Sequence, residues 1–371
     1  MVTERVRLMI PGPVDVEDEV LAALAEPTLP HYGRAFLAIY QETVERLQQV
    51  FGTRNDLFLI PGAGTTGLEA AMSSLLRTGD KVLVPYNGFF GHRLSTVARS
   101  WGLEVRTIEA PPGQPLDPAA IRRSLAAEPD IKAVVVVHVE TSTGVLNPLR
   151  EIAAVSNEAG VPVIVDAVSS LGGVPLPVDE WGIDLCATVA NKCLACPPGV
   201  ALLSISQRAW DQIGRQHNRA HGWYLDLETW KWYAMNWPWH PYPVTLPTNN
   251  IVALLASLRR ILDGGLVAHY ERYAHAAQAV RAGLRRLGFE MFAAEEHASP
   301  LITAVYPLPG MKVSDLQHYL LDKYRIMISG GLDDLNGKIF RVGHIGKAAS
   351  PEYVEAFLAG VEAYLGQKGS D

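Results

Sequence analysis

An aspartate and a lysine, each set just after a short run of apolar, β-branched residues, form the clearest chemical pairing in the chain. Val161 to Val165 has no polar face, as expected of a strand buried on both sides of a parallel sheet, and Asp166 stands where that strand should end. Ile183 to Val189 is a second such run, and Asn191 and Lys192 follow it before Pro197-Pro198-Gly199 breaks the chain. Two opposite charges are thereby carried to one sheet edge. Taken singly, the aspartate reads as a turn or helix cap and the lysine as a solvated charge. Taken together they match what pyridoxal phosphate requires: a lysine amine for the Schiff base, and a carboxylate that keeps the pyridine nitrogen protonated so that the ring accepts electrons.

Other groups are aimed at the same edge. The apolar run Leu57 to Ile60 leads into Gly62-Ala63-Gly64-Thr65-Thr66-Gly67 and then a helix beginning near Thr65. The loop fits the dinucleotide fingerprint GxGxxG, but the next strand, Lys81 to Pro85, runs into Tyr86-Asn87-Gly88 where that fingerprint expects an acid for the ribose. What remains is a helix N-terminus with backbone N–H groups and threonine hydroxyls, suited to a phosphate monoester. Phe90 follows the Lys81 strand, where a ring can stack or simply pack into the core. Lys132 to Val139 delivers His138, Glu140, Thr141, Ser142 and Thr143 to its end. Far along the chain, Lys338 to Gly343 reads as a strand with Arg341 in its apolar middle, a position that calls for an anion, from a ligand or from an internal salt bridge.

Composition limits the alternatives. The chain has 371 residues, 48% hydrophobic and 19% charged, with a net charge of −7, enough for a large α/β domain plus a smaller one. No basic cluster suits a nucleic acid. The N-terminus lacks the apolar stretch of a secretory signal and no run reaches membrane-spanning length, so the expectation is a cytoplasmic protein without membrane contact. The three cysteines cannot build a disulfide framework, and Cys193-x-x-Cys196 has no matching pair for zinc, so small buried thiols beside Lys192 are expected, and no metal.

Stepping outward, residues 1–20 read as a turn-rich arm around Ile10-Pro11-Gly12-Pro13. A helix is expected from Arg34 to Phe51, with Phe36, Tyr40, Val44, Leu47 and Phe51 on one stripe and Gly52 at its end. Five of the eight tryptophans lie between Trp223 and Trp239, a hydrophobic cover or subunit contact. A helix from about Asn250 to Leu262 ends at Asp263-Gly264-Gly265, where the domain boundary is set. Beyond it, Ser314 with Gln317 reads as a capping box, and Ser350 as the cap of a last helix with Pro351 at its first position.

With these motifs in hand, the chain resembles the class V aminotransferases of the fold type I pyridoxal phosphate superfamily, specifically the alanine–glyoxylate and serine–pyruvate group. The similarity runs nearly end to end and is most specific in HVETSTGVLNP (138–148), VDAVSSLGGVPLPVDEWGID (165–184), NKCLACPPG (191–199) and GGLDDLNGKIFRVGHIG (330–346). The resemblance implies an α/β fold with a large domain, 21–264, holding a mostly parallel seven-stranded sheet between helices, and a smaller α+β domain, 265–371. It implies that Lys192 carries pyridoxal 5'-phosphate and then moves a proton between substrate and cofactor, with Asp166 on the ring nitrogen, Phe90 on the ring face and Thr141 on the ring-hydroxyl side. Ala63, Gly64, Thr65 and Asn191 would surround the phosphate. Tyr242 and Thr245 would reach the phosphate bound in a neighbouring subunit, which makes the protein a homodimer. Arg341, with Gly12 nearby, would bind the substrate carboxylate.

The family commonly has serine and histidine in place of Ala63 and Thr65, tryptophan in place of Phe90 and glutamine in place of Asn191. The first change removes a hydroxyl contact to phosphate. The activity implied is ping-pong transfer of an amino group from a small amino acid such as alanine, serine or glycine to a 2-oxo acid such as glyoxylate or pyruvate. Three other readings stay open on sequence alone: a 2-aminoethylphosphonate–pyruvate transaminase, whose lysine region Asn191-Lys192-Cys193 also resembles, a lyase or desulfurase on the same fold, and a noncatalytic or NAD-binding α/β protein.

Overall fold

A computed structural model describes residues 5–215 and 222–368. Positions 1–4 of the expected arm, 216–221 of the expected large domain and 369–371 at the end of the chain lie outside the described residues. Seven strands make the central sheet: β1 (Asp56–Gly62), β2 (Lys81–Tyr86), β3 (Glu104–Glu109), β4 (Ile131–Val137), β5 (Val163–Asp166), β6 (Leu185–Val189) and β7 (Gly199–Ile205). Their spatial order is β1-β7-β6-β5-β4-β2-β3. Only β7 runs against its neighbours. A parallel partner needs a long crossover, and the short segment 190–198 between β6 and β7 can only turn back.

β5 and β6 are buried along their whole length, which explains their unbroken apolar composition. The shared direction brings Gly62, Val137, Asp166 and Val189 to one edge, where β7 also begins at Gly199. Two helices start at that edge, Gly64–Leu75 and Phe89–Ser100. The Arg34–Phe51 helix forms as its stripe predicts, burying Phe36, Tyr40, Leu47 and Phe51 and ending at Gly52.

A second hydrophobic core is built on a three-stranded antiparallel sheet of β8 (Ile302–Val305), β9 (Ser329–Gly330) and β10 (Phe340–Gly343), with β10 in the middle. Helices Leu266–Arg286, Val313–Tyr324 and Pro351–Lys368 cover it. The N-terminal segment joins this core: Arg7–Leu8 pairs in parallel with Ile326–Met327, and Met9 and Val14 are buried there. Cys193 and Ala195, just after Lys192, belong to the same cluster.

The helix caps expected in this region form differently. The Val313–Tyr324 helix is capped at Lys312, so Ser314 already lies inside its first turn and cannot accept from the turn's free N–H groups. The Ser314 hydroxyl donates instead to Asp315, and Gln317 donates to the Ile328 carbonyl at 3.1 Å. At the last helix Pro351 does take the first position, but the buried Ser350 hydroxyl has no partner among the described residues.

Candidate active site

The carboxyl edge of the sheet encloses a cavity of about 380 Å³. Its lining includes Ala63, Gly64, Thr65, Phe90, Thr141, Asp166, Asn191 and Lys192, eight positions singled out by sequence and drawn from five separate segments at the ends of the strands. Parallel strands deliver these segments, and a crevice at the carboxyl ends of an α/β sheet is where ligands bind.

Asp166 and Lys192 give the cavity its two opposing charges. Burial pushes the Asp166 carboxyl up to about 6, against the opposing effect of the Val168 backbone N–H that donates to it at 2.9 Å; Glu140 raises it further, while Lys192 and Arg93 oppose. Burial lowers the Lys192 ammonium from its ordinary value, partly offset by Cys193 and Asp166. The Lys192 amine donates to the Pro11 carbonyl at 2.7 Å. Gly12 stands directly over it, so close that a Cβ there would meet Nζ at 2.3 Å.

Arg341 is 5% exposed in the middle strand of the second sheet, paired with Ala304 and Ser329. Its Nε donates to the Gly330 carbonyl at 2.8 Å and its Nη1 to the Thr141 carbonyl at 2.9 Å. Burial pulls its guanidinium down to about 10, with Glu140 opposing. No carboxylate pairs with Arg341 within 4.0 Å among the described residues, so it retains capacity for an anion.

The glycine loop provides the other end of the cavity. Gly62 has φ 149, where side chains are disfavoured, and a Cβ there would stand 2.3 Å from Thr66 Oγ1. No side chain caps the Gly64–Leu75 helix, whose N-terminal residues Gly64 and Thr65 line the cavity. A small anion therefore meets backbone donors and a positive helix end. The residues present fit pyridoxal phosphate at three points: an uncapped helix for phosphate, a buried carboxyl for the ring nitrogen and a lysine for the aldehyde.

Four residues assigned by resemblance are not in the lining of this cavity: Gly12 and Arg341 adjoin it at Lys192 and Thr141, and Tyr242 and Thr245 lie elsewhere. Tyr242 is 0% exposed, packed between Tyr40, Phe36 and His240, and its hydroxyl donates to the His31 carbonyl. Thr245 is exposed on the surface.

Sequence reading did not assign roles to Arg93, Val168 and Ser169, which also line the cavity, or to Glu140, which binds the start of the helix bearing Phe90. The composition of HVETSTG was the available signal for Glu140, an acid in an otherwise buried segment. All three cysteines are buried free thiols, and burial pushes Cys193 up to about 12.

Comparison with known proteins agrees with this geometry. The family model "Aminotransferase class-V" matches residues 17–335. A protein of Methanocaldococcus jannaschii described as an uncharacterized aminotransferase is 40% identical, over 98% of this chain and 93% of its own. The crystal structure of ureidoglycine-glyoxylate aminotransferase from Bacillus subtilis superposes with a TM-score of 0.94 at 32% identity, covering 99% of this chain and 94% of that one. Alanine–glyoxylate aminotransferase from Nostoc sp. gives the same TM-score and identity over 98% of this chain and 96% of its own. With a family match across most of its length and solved relatives that share the whole fold, the chain belongs to the class V aminotransferases, pyridoxal-phosphate-dependent enzymes of fold type I.

Proposed function

We propose that this enzyme moves the amino group of a small amino acid, of the alanine, serine or glycine type, to glyoxylate or pyruvate by a ping-pong route. The observation that carries the reading is Arg341, a buried cation held at two N–H groups by the Gly330 and Thr141 carbonyls and lacking a carboxylate partner among the described residues. Amino acids and 2-oxo acids share the carboxylate such a fork binds. The similar proteins from Bacillus subtilis and Nostoc are named for glyoxylate. A desulfurase would require an accessible nucleophilic thiol, and none of the three cysteines is exposed by more than 1%.

When bound, pyridoxal phosphate supplies an aldehyde for Lys192 and an electron sink for the bond being broken at the substrate carbon. The residues of the chain do the rest. Ala63, Gly64, Thr65 and Asn191 hold the phosphate, and Phe90 covers one ring face. Asp166 keeps the ring nitrogen protonated. Thr141 lies on the ring-hydroxyl side, and its carbonyl orients Arg341. The lowered affinity of the Lys192 amine for its proton makes it a better nucleophile at neutral pH and afterwards a base for the substrate Cα proton.

The working form on this reading is a cytoplasmic homodimer, with an N-terminal arm (1–20), a large domain (21–264) and a small one (265–371) in each subunit. Trp223, Trp232, Met235 and Trp239 are each more than half exposed, an apolar surface suited to a second subunit, and Thr245 is exposed in the segment that follows them. The test is a set of single-turnover spectra of the cofactor-loaded protein with glycine, alanine, serine and 2-aminoethylphosphonate. The carboxylate donors are expected to convert the cofactor to its amine form, and glyoxylate or pyruvate to restore it. Conversion by 2-aminoethylphosphonate alone would overturn the substrate reading and leave the cofactor chemistry in place.

A further inference from the structure

Glu140 is fully buried, and its carboxylate collects an unusual set of donors. Oε1 accepts from the backbone N–H of Phe90 at 3.2 Å and of Ser142 at 3.1 Å, and from the Ser142 hydroxyl. Oε2 accepts from Gly91 N–H at 2.9 Å. The Ser142 oxygen in turn accepts from Phe89 N–H at 3.0 Å. The first three N–H groups of the Phe89–Ser100 helix thus end on two side chains from a hairpin about fifty residues away in sequence, while the local cap position, Gly88, supplies no side chain. Gly88 has no room for one, since a Cβ there would meet Ser142 Oγ at 2.5 Å and Glu140 Cγ at 2.6 Å.

The residue between them, Thr141, lines the cavity, and its carbonyl accepts from Arg341. One short segment therefore grips the helix that carries Phe90 with its side chains and the guanidinium of Arg341 with its backbone. A carboxylate at a helix N-terminus is held both by hydrogen bonds and by the helix dipole, so its position is stiff. We infer that Glu140 is a positioning residue that couples the ring-covering residue Phe90 to the carboxylate-binding residue Arg341, setting both through the 140–142 segment. This rests on the transaminase reading for the roles of those two residues and goes beyond it in assigning Glu140.

Replacing Glu140 with glutamine keeps the size but removes the charge and turns one acceptor into a donor facing the backbone N–H groups. The probes are aminooxyacetate and methoxyamine, which both capture the bound cofactor's carbonyl carbon but differ in that only the first carries a carboxylate. Glu140→Gln is expected to lower the ratio of their capture rates about tenfold, the worth of one charge-assisted hydrogen bond, and to alter the circular dichroism of the bound cofactor. Ser142→Ala removes the hydroxyl bond to Oε1 and frees Phe89 N–H but leaves the carboxylate on the N–H groups of Phe90, Gly91 and residue 142, so it is expected to alter the dichroism while keeping the ratio. A folded Glu140→Gln protein with the wild-type ratio and dichroism would overturn the inference. If Glu140→Gln does not fold, an unchanged dichroism in Ser142→Ala would do the same. Wild-type transamination is read separately, so neither result bears on the reaction itself.

Discussion

A Cβ on Gly12 would lie 2.3 Å from Lys192 Nζ, and the same amine donates to the carbonyl of Pro11 at 2.7 Å. The N-terminal segment is thus part of the lysine's surroundings. The methyl group of Gly12→Ala must push the end of the Lys192 side chain aside, and φ +143 adds backbone strain of about 1–3 kcal/mol. The expected outcome is a protein that folds but takes up pyridoxal phosphate on Lys192 about tenfold more slowly, the effect of about 1.4 kcal/mol on the reacting amine. Borohydride trapping of the loaded lysine over time measures this, and wild-type uptake would show that the segment swings clear.

Asp166 carries a pH-dependent cost in the cofactor-free protein. Its folded value of about 6 lies above the ordinary 3.8, so the folded state holds the proton more tightly than the unfolded chain. Stability therefore falls as pH rises from about 4 to about 6, by roughly 3 kcal/mol in all. Asp166→Asn keeps the acceptor for Val168 N–H and removes the charge. The cofactor-free variant should melt above wild type at pH 8 and lose that advantage near pH 4, while transamination drops by about 10³ or more. A variant that melts below wild type at pH 8 contradicts the burial argument.

For Arg341, the expectation separates binding from folding. Arg341→Leu removes charge-assisted donors for the substrate carboxylate, which should raise KM for both amino donor and oxo acid by about a hundredfold. Melting should change little, because a buried cation without a carboxylate partner contributes little to stability. A variant with wild-type KM would move the carboxylate site elsewhere.

Tyr242→Phe tests the phosphate-binding role that the family resemblance gives this residue. Losing the bond to the His31 carbonyl should cost about 1 kcal/mol of stability, and losing a contact to the phosphate should lower the cofactor affinity about tenfold. An unchanged cofactor affinity, measured by titration of the cofactor-free protein, would remove Tyr242 from the phosphate site.

The readable part of the fold follows from local rules. Strands β5 and β6 announce themselves as apolar β-branched runs because both faces are covered, and the ends of those runs put Asp166 and Lys192 at one edge. Arg341 was legible because a cation in an apolar strand stands out. What escaped depends on contacts across long stretches of chain. Pro11 lies 181 residues from Lys192, and Glu140 reaches Phe90 across 50. The Ser314 box failed through a shift of the helix start that the local pattern does not reveal. Tyr242 takes its expected role from the family resemblance alone, and its packing against Tyr40 and Phe36 is a long-range contact that no local pattern announces.

Covalent attachment of the cofactor is the most direct test of the central claim. Purified protein incubated with pyridoxal 5'-phosphate should develop a visible absorption band that borohydride bleaches, leaving the reduced cofactor on the peptide containing Lys192. Adding alanine before the reductant should abolish the labelling, and adding pyruvate afterwards should restore it. A wild-type protein that stays colourless with excess cofactor, or a label found on any lysine other than Lys192, would contradict the account.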